Sequence, residues 1–379
     1  MVNLLYVAAF CHAALALLLW FNRARTPRLP EVKAHPDRPK SVVVIVPARN
    51  EESNIGQCVR SILWQDYPAL TVRVVDDHST DHTGAIVGKL AEYDRRLTLI
   101  HPPSLPPGWL GKPHAVHNGS LGATADYLLF LDADVRLEPS AVSRAVALAE
   151  AKQAGLTTVM PELVAESFWE RATQPLVGLL LYGLLDPVRV NDPNKDSAAG
   201  FGPFMLFRRD AYEKLGGHQA VRSEIVEDLK LSQLVKAQRL GLCVAHGTDV
   251  VKLRMYDSLP SLLAGWTKNF HVALGPLKAL APLFAILIAA VFTLPTVMCW
   301  TLIGQWAATG HLPHFATAAA LAYGADWCAR LSLHSAYDIT PRGVRAVGGL
   351  VVGYILCSSV YRALFGRPVT WRGRSYQAQ

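Results

Sequence analysis

Three short acidic strings, Asp76-Asp77, Asp132-Ala133-Asp134 and Glu227-Asp228, hold the residue types on which chemistry could turn. Carboxylates as close as Asp132 and Asp134 repel unless a cation or hydrogen bonds compensate. A hard divalent ion bridging to a diphosphate meets that need, because Mg2+ takes one or two carboxylates together with phosphate oxygens. A helix cap or a solvated turn uses the same pair of residues. Lys112 closes the stretch Gly108-Trp109-Leu110-Gly111-Lys112, read as a loop. There glycine lets the backbone approach a phosphate and the ammonium offsets its charge, although an ordinary surface lysine fits the string as well. Glu227-Asp228 opens a helix patterned by Leu229, Leu231, Leu234 and Val235. Acids in a first turn commonly compensate the helix dipole; as a functional residue, one of the two would be a general base that takes a proton from an attacking hydroxyl. Asp76 or Asp77 could accept a hydrogen bond from a nucleobase, and the Arg49 region could touch the nucleotide.

The elements that must position these residues are legible from periodicity. Ser41–Pro47 is a β-branched run of the kind buried in a parallel sheet. Leu70–Asp76, Leu97–His101 and Tyr127–Leu131 are further strands, with helical spacing at Ile55, Cys58, Val59, Ile62 and Leu63 and again at Thr83, Ile86, Val87 and Leu90. The alternation predicts a parallel α/β sheet with right-handed crossovers and a ligand beyond the carboxyl ends of the strands. Three strands end in polar chemistry, at Pro47 to Glu51, Asp76 to Ser79 and Asp132 to Asp134. If its strand continues, the last pair shares one pleat face. Ala199-Gly200-Phe201-Gly202-Pro203, before the strand Phe204–Phe207, would let a sugar-sized group lie near the backbone, and a plain turn accounts for it equally. His114 and His117 stand one helical turn apart with no third ligand at zinc spacing.

The chain has 379 residues, 51% hydrophobic and only 18% charged, with mean hydropathy +0.21. Soluble domains carry about a quarter charged residues, so these figures exclude disorder and place part of the chain against lipid. The net charge of +7 belongs to basic residues that flank apolar runs, which reads as membrane-surface anchoring and not as nucleic-acid binding. Six cysteines without a C-x-x-C pair read as small buried hydrophobes. Residues 1–22 are read as a transmembrane anchor, 23–40 as a basic juxtamembrane linker, 41–254 as the catalytic domain, 255–273 as an interfacial helix, 274–365 as a membrane region of two to three spans and 366–379 as a basic tail. The candidate spans are Ala279–Ile303, Phe315–Leu333 and Val344–Leu364. Three spans would carry the tail outward, whereas Arg362, Arg367, Arg372 and Arg374 favour the cytoplasm, so one of the last two is expected to be interfacial or re-entrant. Gln174–Leu185 is too short to cross, and is either a core helix or an element on the membrane surface. The tail Trp371–Arg374 either anchors to headgroups or folds back onto the diphosphate.

The order Pro47-x-Arg49-Asn50-Glu51, Asp76-Asp77-x-Ser79-x-Asp81, Gly108-Trp109-x-Gly111-Lys112, Asp132-x-Asp134 and Glu227-Asp228 resembles the family 2 glycosyltransferases, over most of 41–274. With the anchored architecture and Gly265-Trp266-Thr267-Lys268-Asn269, it is similar to bacterial membrane enzymes that glycosylate lipids, such as hopanoid-associated and carotenoid glycosyltransferases. The resemblance implies an α/β fold of GT-A type (the Rossmann-like nucleotide-diphospho-sugar transferase domain) with transmembrane helices. It also implies inverting transfer of one sugar from a UDP-linked donor to a lipid hydroxyl, with Mg2+ or Mn2+. Asp76 and Asp77 would bind uridine, with Pro47, Arg49 and Glu51 lining the nucleotide. Asp132 and Asp134 would hold the metal and diphosphate, Lys112 would touch phosphate, and Asp228, or its neighbour Glu227, would be the base. The multi-pass protein would sit in the inner membrane with its catalytic domain cytoplasmic. The Q-x-x-R-W motif of processive synthases is missing, which favours single transfer. Two rivals stand: a phosphoryl-transfer enzyme using Asp132 and Asp134, and a non-catalytic membrane scaffold.

Overall fold

Runs of β-branched and aliphatic residues become strands, and their polar ends become the loops that carry the acids. The computed structural model describes residues 2–184, 186–273, 281–337, 345–365, 369–371 and 374–376. Its main strands are β1 (Val42–Ala48), β2 (Leu70–Asp76), β3 (Leu97–Ile100), β4 (Tyr127–Leu131), β5 (Val135–Leu137), β6 (Leu156–Met160), β7 (Glu162–Leu163), β8 (Phe204–Arg208), β9 (Leu242–His246) and β10 (Val251–Leu253). By contacts the chain divides into two units. One comprises Arg25–Glu162 and Leu185–Arg254; the other comprises Met1–Ala24, Leu163–Leu184 and Met255–Gln379. The segment Leu163–Leu184 thus groups with the apolar helices, although it falls inside the stretch 41–254 that sequence reasoning treats as continuous.

In the first unit a seven-stranded sheet runs in the order β3-β2-β1-β4-β8-β6-β9. β1 is parallel to β2 and β4, so the polar ends of these three strands emerge at one edge, as the sequence implies. The sheet is mixed and not wholly parallel, because β8 is antiparallel to both β4 and β6. The cause is local: Phe204, which follows the Gly202-Pro203 turn, pairs with Leu131 at the end of β4, so the chain must run back along its neighbour. Val43, Val44, Ile45, Leu128 and Leu129 are buried along the central strands, as expected for a sheet covered on both faces.

The basic linker is tied to this sheet. The His246 amide donates to Pro27 O (2.8 Å) and the Leu29 amide to His246 O (3.2 Å), extending the sheet beyond the outer strand β9. Arg144 donates to Leu29 O (2.7 Å) and Pro30 O (3.1 Å) and pairs with Asp249 at 2.6 Å. An outer strand presents unpaired amides and carbonyls, and this strap covers part of them.

The second unit contains helices Val2–Arg25, Phe168–Leu184, Leu259–Ala273, Ala281–Thr309, Ala316–Tyr337 and Arg345–Leu364. Two of them, Val2–Arg25 and the apolar length Pro282–Thr309, are long and apolar enough to cross a membrane. Phe315–Leu333, one of the two regions of which one is expected to be interfacial or re-entrant, is an unbroken helix from Ala316 to Tyr337. Its Asp326, which interrupts the hydropathy, is 2% exposed and lies 3.2 Å from His12 Nε2, whose Nδ1 meets Ala8 O at 2.8 Å. Gly349 and Gly353 let Arg345–Leu364 approach Ala281–Thr309 closely; a Cβ at Gly349 would lie 2.8 Å from Thr293 Oγ1. The helix expected at the interface buries Leu262, Trp266 and Phe270, and Trp266 Nε1 donates to Gln174 Oε1 at 3.0 Å. These three side chains of its apolar face are spent on packing. In the basic tail Val369–Trp371 pairs antiparallel with Arg374–Tyr376, while Arg367 and Arg372 lie outside the described residues.

Removing one partner of a buried hydrogen-bonding pair strands the other, at a cost of roughly 1–3 kcal/mol. Asp326→Ala is expected to lower the melting temperature of the detergent-solubilised protein by several degrees, and His12→Leu/Asp326→Leu to recover most of the loss.

Candidate active site

The loops after β1 and β2 are stitched together before any ligand arrives. Arg49 Nη1 donates to Asp77 O at 2.6 Å, the Asn50 amide to Ser79 Oγ at 3.0 Å, and the Thr80 amide to Asn50 Oδ1 at 2.9 Å. The Glu51 amide donates to Thr83 Oγ1 at 2.8 Å. Asn50 and His78 hold positive φ, +52° and +58°, a conformation Asn and His reach more readily than most residues. Arg49 thus braces the second loop. Asp76 and Asp77 are both buried; Asp76 Oδ1 accepts the Ser79 amide at 3.1 Å, and the Asp77 amide donates to Ala48 O at 2.8 Å. Gly84 matters to Asp76, because a Cβ there would sit 2.7 Å from its Oδ2. Pro47 pairs in register with Val75 on β2, while the pairing of β1 with β4 ends at Ile45.

A second group forms beyond β4. Asp132 and Asp134 do not continue the strand but sit in the turn into β5, closed by the Val135 amide donating to Asp132 O at 3.2 Å. The turn, and not a shared pleat face, brings them together. Asp134 Oδ1 is buried without a hydrogen-bond partner. Burial, with the charges of Asp132 and Glu51 added to it, pushes the Asp134 carboxyl up to about 8. An acid in that condition fits a cation. Among the described residues no cluster of three or more His, Cys, Asp or Glu surrounds a metal position. Two carboxylates completed by phosphate oxygens and water would suffice for Mg2+ or Mn2+.

Lys112 lies in the first turn of the helix Gly111–Ser120, and not in a loop. Its Nζ is 2.8 Å from Asp132 Oδ1 and 2.9 Å from Glu227 Oε1. Burial opposes its charge, but Asp132, Glu227 and Asp228 outweigh that and hold the ammonium well above the usual lysine range. Glu227 and Asp228 begin the helix Glu227–Ala237. Asp228 Oδ2 accepts the Gly202 amide and Oδ1 its own neighbour's amide at Leu229, both at 2.8 Å. Burial and the Glu227 charge lift Asp228 to about 6.

The glycines of Ala199–Pro203 serve Asp228: a Cβ at Gly202 would lie 2.8 Å from its Oδ2, and one at Gly200 would strike Ser232 Oγ and the Asp228 carbonyl. Sequence reasoning left those glycines between room for a sugar-sized group and a plain turn and missed this support, since nothing in the string itself ties it to a helix 26 residues on. It also missed the packing behind Lys112. His218 is buried against Phe130 and Tyr212, its Nδ1 2.8 Å from the Tyr212 hydroxyl, and burial with the nearby Lys112 charge lowers it to about 3. His114 and His117 flank Trp109 at ring distances of 5.6 and 5.0 Å.

Lys112, Asp132 and Glu227 are therefore in direct contact, with Asp134, Glu51 and Asp228 in the same electrostatic field. Asp76, Asp77, Arg49 and Pro47 form a neighbouring group on β1 and β2. An α/β sheet of this order, with both groups beyond the carboxyl ends of its strands, defines a GT-A-type domain. Residues 43–216 match the glycosyl transferase family 2 model. The chain is 31% identical over 248 residues to 4,4'-diaponeurosporenoate glycosyltransferase of Staphylococcus aureus (strain MRSA252), covering 63% of either sequence. It thus spans just under two thirds of the length of the curated relatives it matches. A solved mannosyltransferase of Pyrobaculum calidifontis, in complex with GDP-Man and Mn2+, superposes with a TM-score of 0.52 at 22% identity, covering 96% of this chain and 99% of that one. That likeness is one of fold.

Gly202→Ala is expected to cut turnover on the order of 100-fold by displacing Asp228, with the melting temperature changed little. Steady-state kinetics and thermal melts on the same preparation would check it.

Proposed function

We propose that the chain is a membrane-bound inverting glycosyltransferase that moves a single sugar from a UDP-linked donor to a hydroxyl of a lipid or lipid-linked acceptor. The observation that carries this reading is the Lys112 ammonium set between Asp132 and Glu227, with Asp228 held beside them by Gly202. The match to a family 2 domain and the fold likeness to a structure holding GDP-Man and Mn2+ support it. An apolar acceptor is supported by the named substrate of the Staphylococcus aureus relative.

In this mechanism Asp76 and Asp77 receive the nucleobase, in a pocket framed by Pro47, Arg49 and Glu51. Lys112 meets the diphosphate. Asp132 and Asp134 would hold a divalent ion, Mg2+ or Mn2+, which when bound supplies positive charge for the leaving diphosphate. Asp228 takes the proton of the acceptor hydroxyl as its oxygen bonds the anomeric carbon from the face opposite the donor phosphate. The sugar–phosphate bond breaks, its electron pair leaves with UDP, and configuration inverts. A carboxyl lifted to about 6 is mostly ionised at pH 7 yet basic enough to accept that proton.

Helices Val2–Arg25 and Ala281–Thr309 would anchor the protein in the inner membrane, with the basic stretch from Arg23 to Lys40 marking the cytoplasmic side and the catalytic domain there. Anchoring places the active domain where an apolar acceptor is concentrated.

The test is incorporation of labelled sugar from UDP-sugars into membrane lipid by the full-length protein. Asp228→Asn is expected to lose about 100-fold or more of the transfer rate. Chelation should abolish transfer, and added Mg2+ or Mn2+ restore it. Phosphate release without sugar incorporation, or full transfer by Asp228→Asn, would overturn the reading. Because the base must be unprotonated, kcat/KM should hold above pH 6 and fall about tenfold per pH unit below it.

A further inference from the structure

Lys112 is held from two sides, and the two holders are not equivalent. Asp132 is partly open, with 26% of its side chain exposed, whereas the Glu227 side chain is 7% exposed on the first turn of a different helix. Asp132 belongs to the pair assigned to the metal, so an arriving ion and diphosphate would compete for it. Glu227 faces no such competitor. A buried carboxylate needs a charged partner to stay ionised, and Lys112, at 2.9 Å, is that partner. A lysine ammonium on a flexible four-carbon stem otherwise spreads over many rotamers, each diluting its contact with a phosphate.

We propose that Glu227 is a positioning residue that acts through Lys112, keeping the ammonium beside Asp132 where the donor's diphosphate must land, and that proton transfer falls to Asp228 alone. The inference rests on the glycosyltransferase reading above and assigns the two acids of Glu227-Asp228 to different tasks.

Two consequences of the Glu227 charge have opposite signs, which makes the idea decidable. A negative charge near a diphosphate repels it, so neutralising Glu227 would by that effect alone tighten binding. If Glu227 orders Lys112, the same change must weaken binding.

The experiment is calorimetric titration of UDP, with GDP alongside, into the full-length detergent-solubilised protein in the presence of Mn2+. Glu227→Gln is expected to weaken UDP binding about tenfold, or about 1.4 kcal/mol. Lys112→Met should weaken it comparably, and Lys112→Met/Glu227→Gln no further. Glu227→Asp, which keeps the charge but falls a methylene short, gives an independent reading: weakened binding at an unchanged melting temperature. Unchanged or tighter binding by Glu227→Gln, or an equal further loss in the Lys112→Met background, overturns the proposal while leaving the glycosyltransferase reading intact. A wild-type protein that binds neither nucleotide overturns both.

Discussion

The site depends on one electrostatic balance: a single ammonium, Lys112, set against the carboxylates of Asp132, Glu227 and Asp228, with Asp134 and Glu51 close behind. Unit charges 4 Å apart interact by about 4 kcal/mol at an effective dielectric of 20, so five acids gathered this closely would drive their loops apart without compensation. One lysine does not neutralise them all. Asp134, whose buried Oδ1 lacks a hydrogen-bond partner, answers by holding its proton: burial first, and then the charges of Asp132 and Glu51, lift its carboxyl to about 8.

Holding that much like charge in place requires stiff supports. The mixed sheet provides them, because β1, β2 and β4 end at one edge and the loops after β1 and β2 are tied by hydrogen bonds through Arg49, Asn50, Glu51 and Thr83. Gly202 and Gly200 permit the Asp228 helix to approach the end of the sheet at backbone distance. The aromatic packing of Phe130, Phe207, Tyr212 and His218 fills the sheet end behind Lys112, and desolvation there keeps His218 uncharged so that it does not compete with the lysine.

The apolar unit meets a related problem. Its buried polar groups find one another: His12 meets Asp326, Trp266 meets Gln174, and Ser359 Oγ donates to Thr267 O at 3.0 Å. Hydropathy counts Asp326 as a breach in a span. Its pairing with a histidine more than 300 positions earlier shows that the breach faces protein.

Much of this protein was legible in its string of residues. Strand and helix periodicity placed β1 to β4 and the helix at Glu227 because burial repeats every second or every 3.6 residues. The acids at the strand ends stood out because such pairs are costly without a purpose. Contacts across sequence were not legible: the reversal at β8, the passage of Leu163–Leu184 into the apolar unit, the turn that pairs Asp132 with Asp134, the grip of Glu227 on Lys112, the service of Gly202 to Asp228 and the His12–Asp326 pair. Periodicity reports which face of an element is buried, but not what it is buried against. Charge balance, amide donation and close approach are properties of pairs, and only the folded chain determines which residues become pairs.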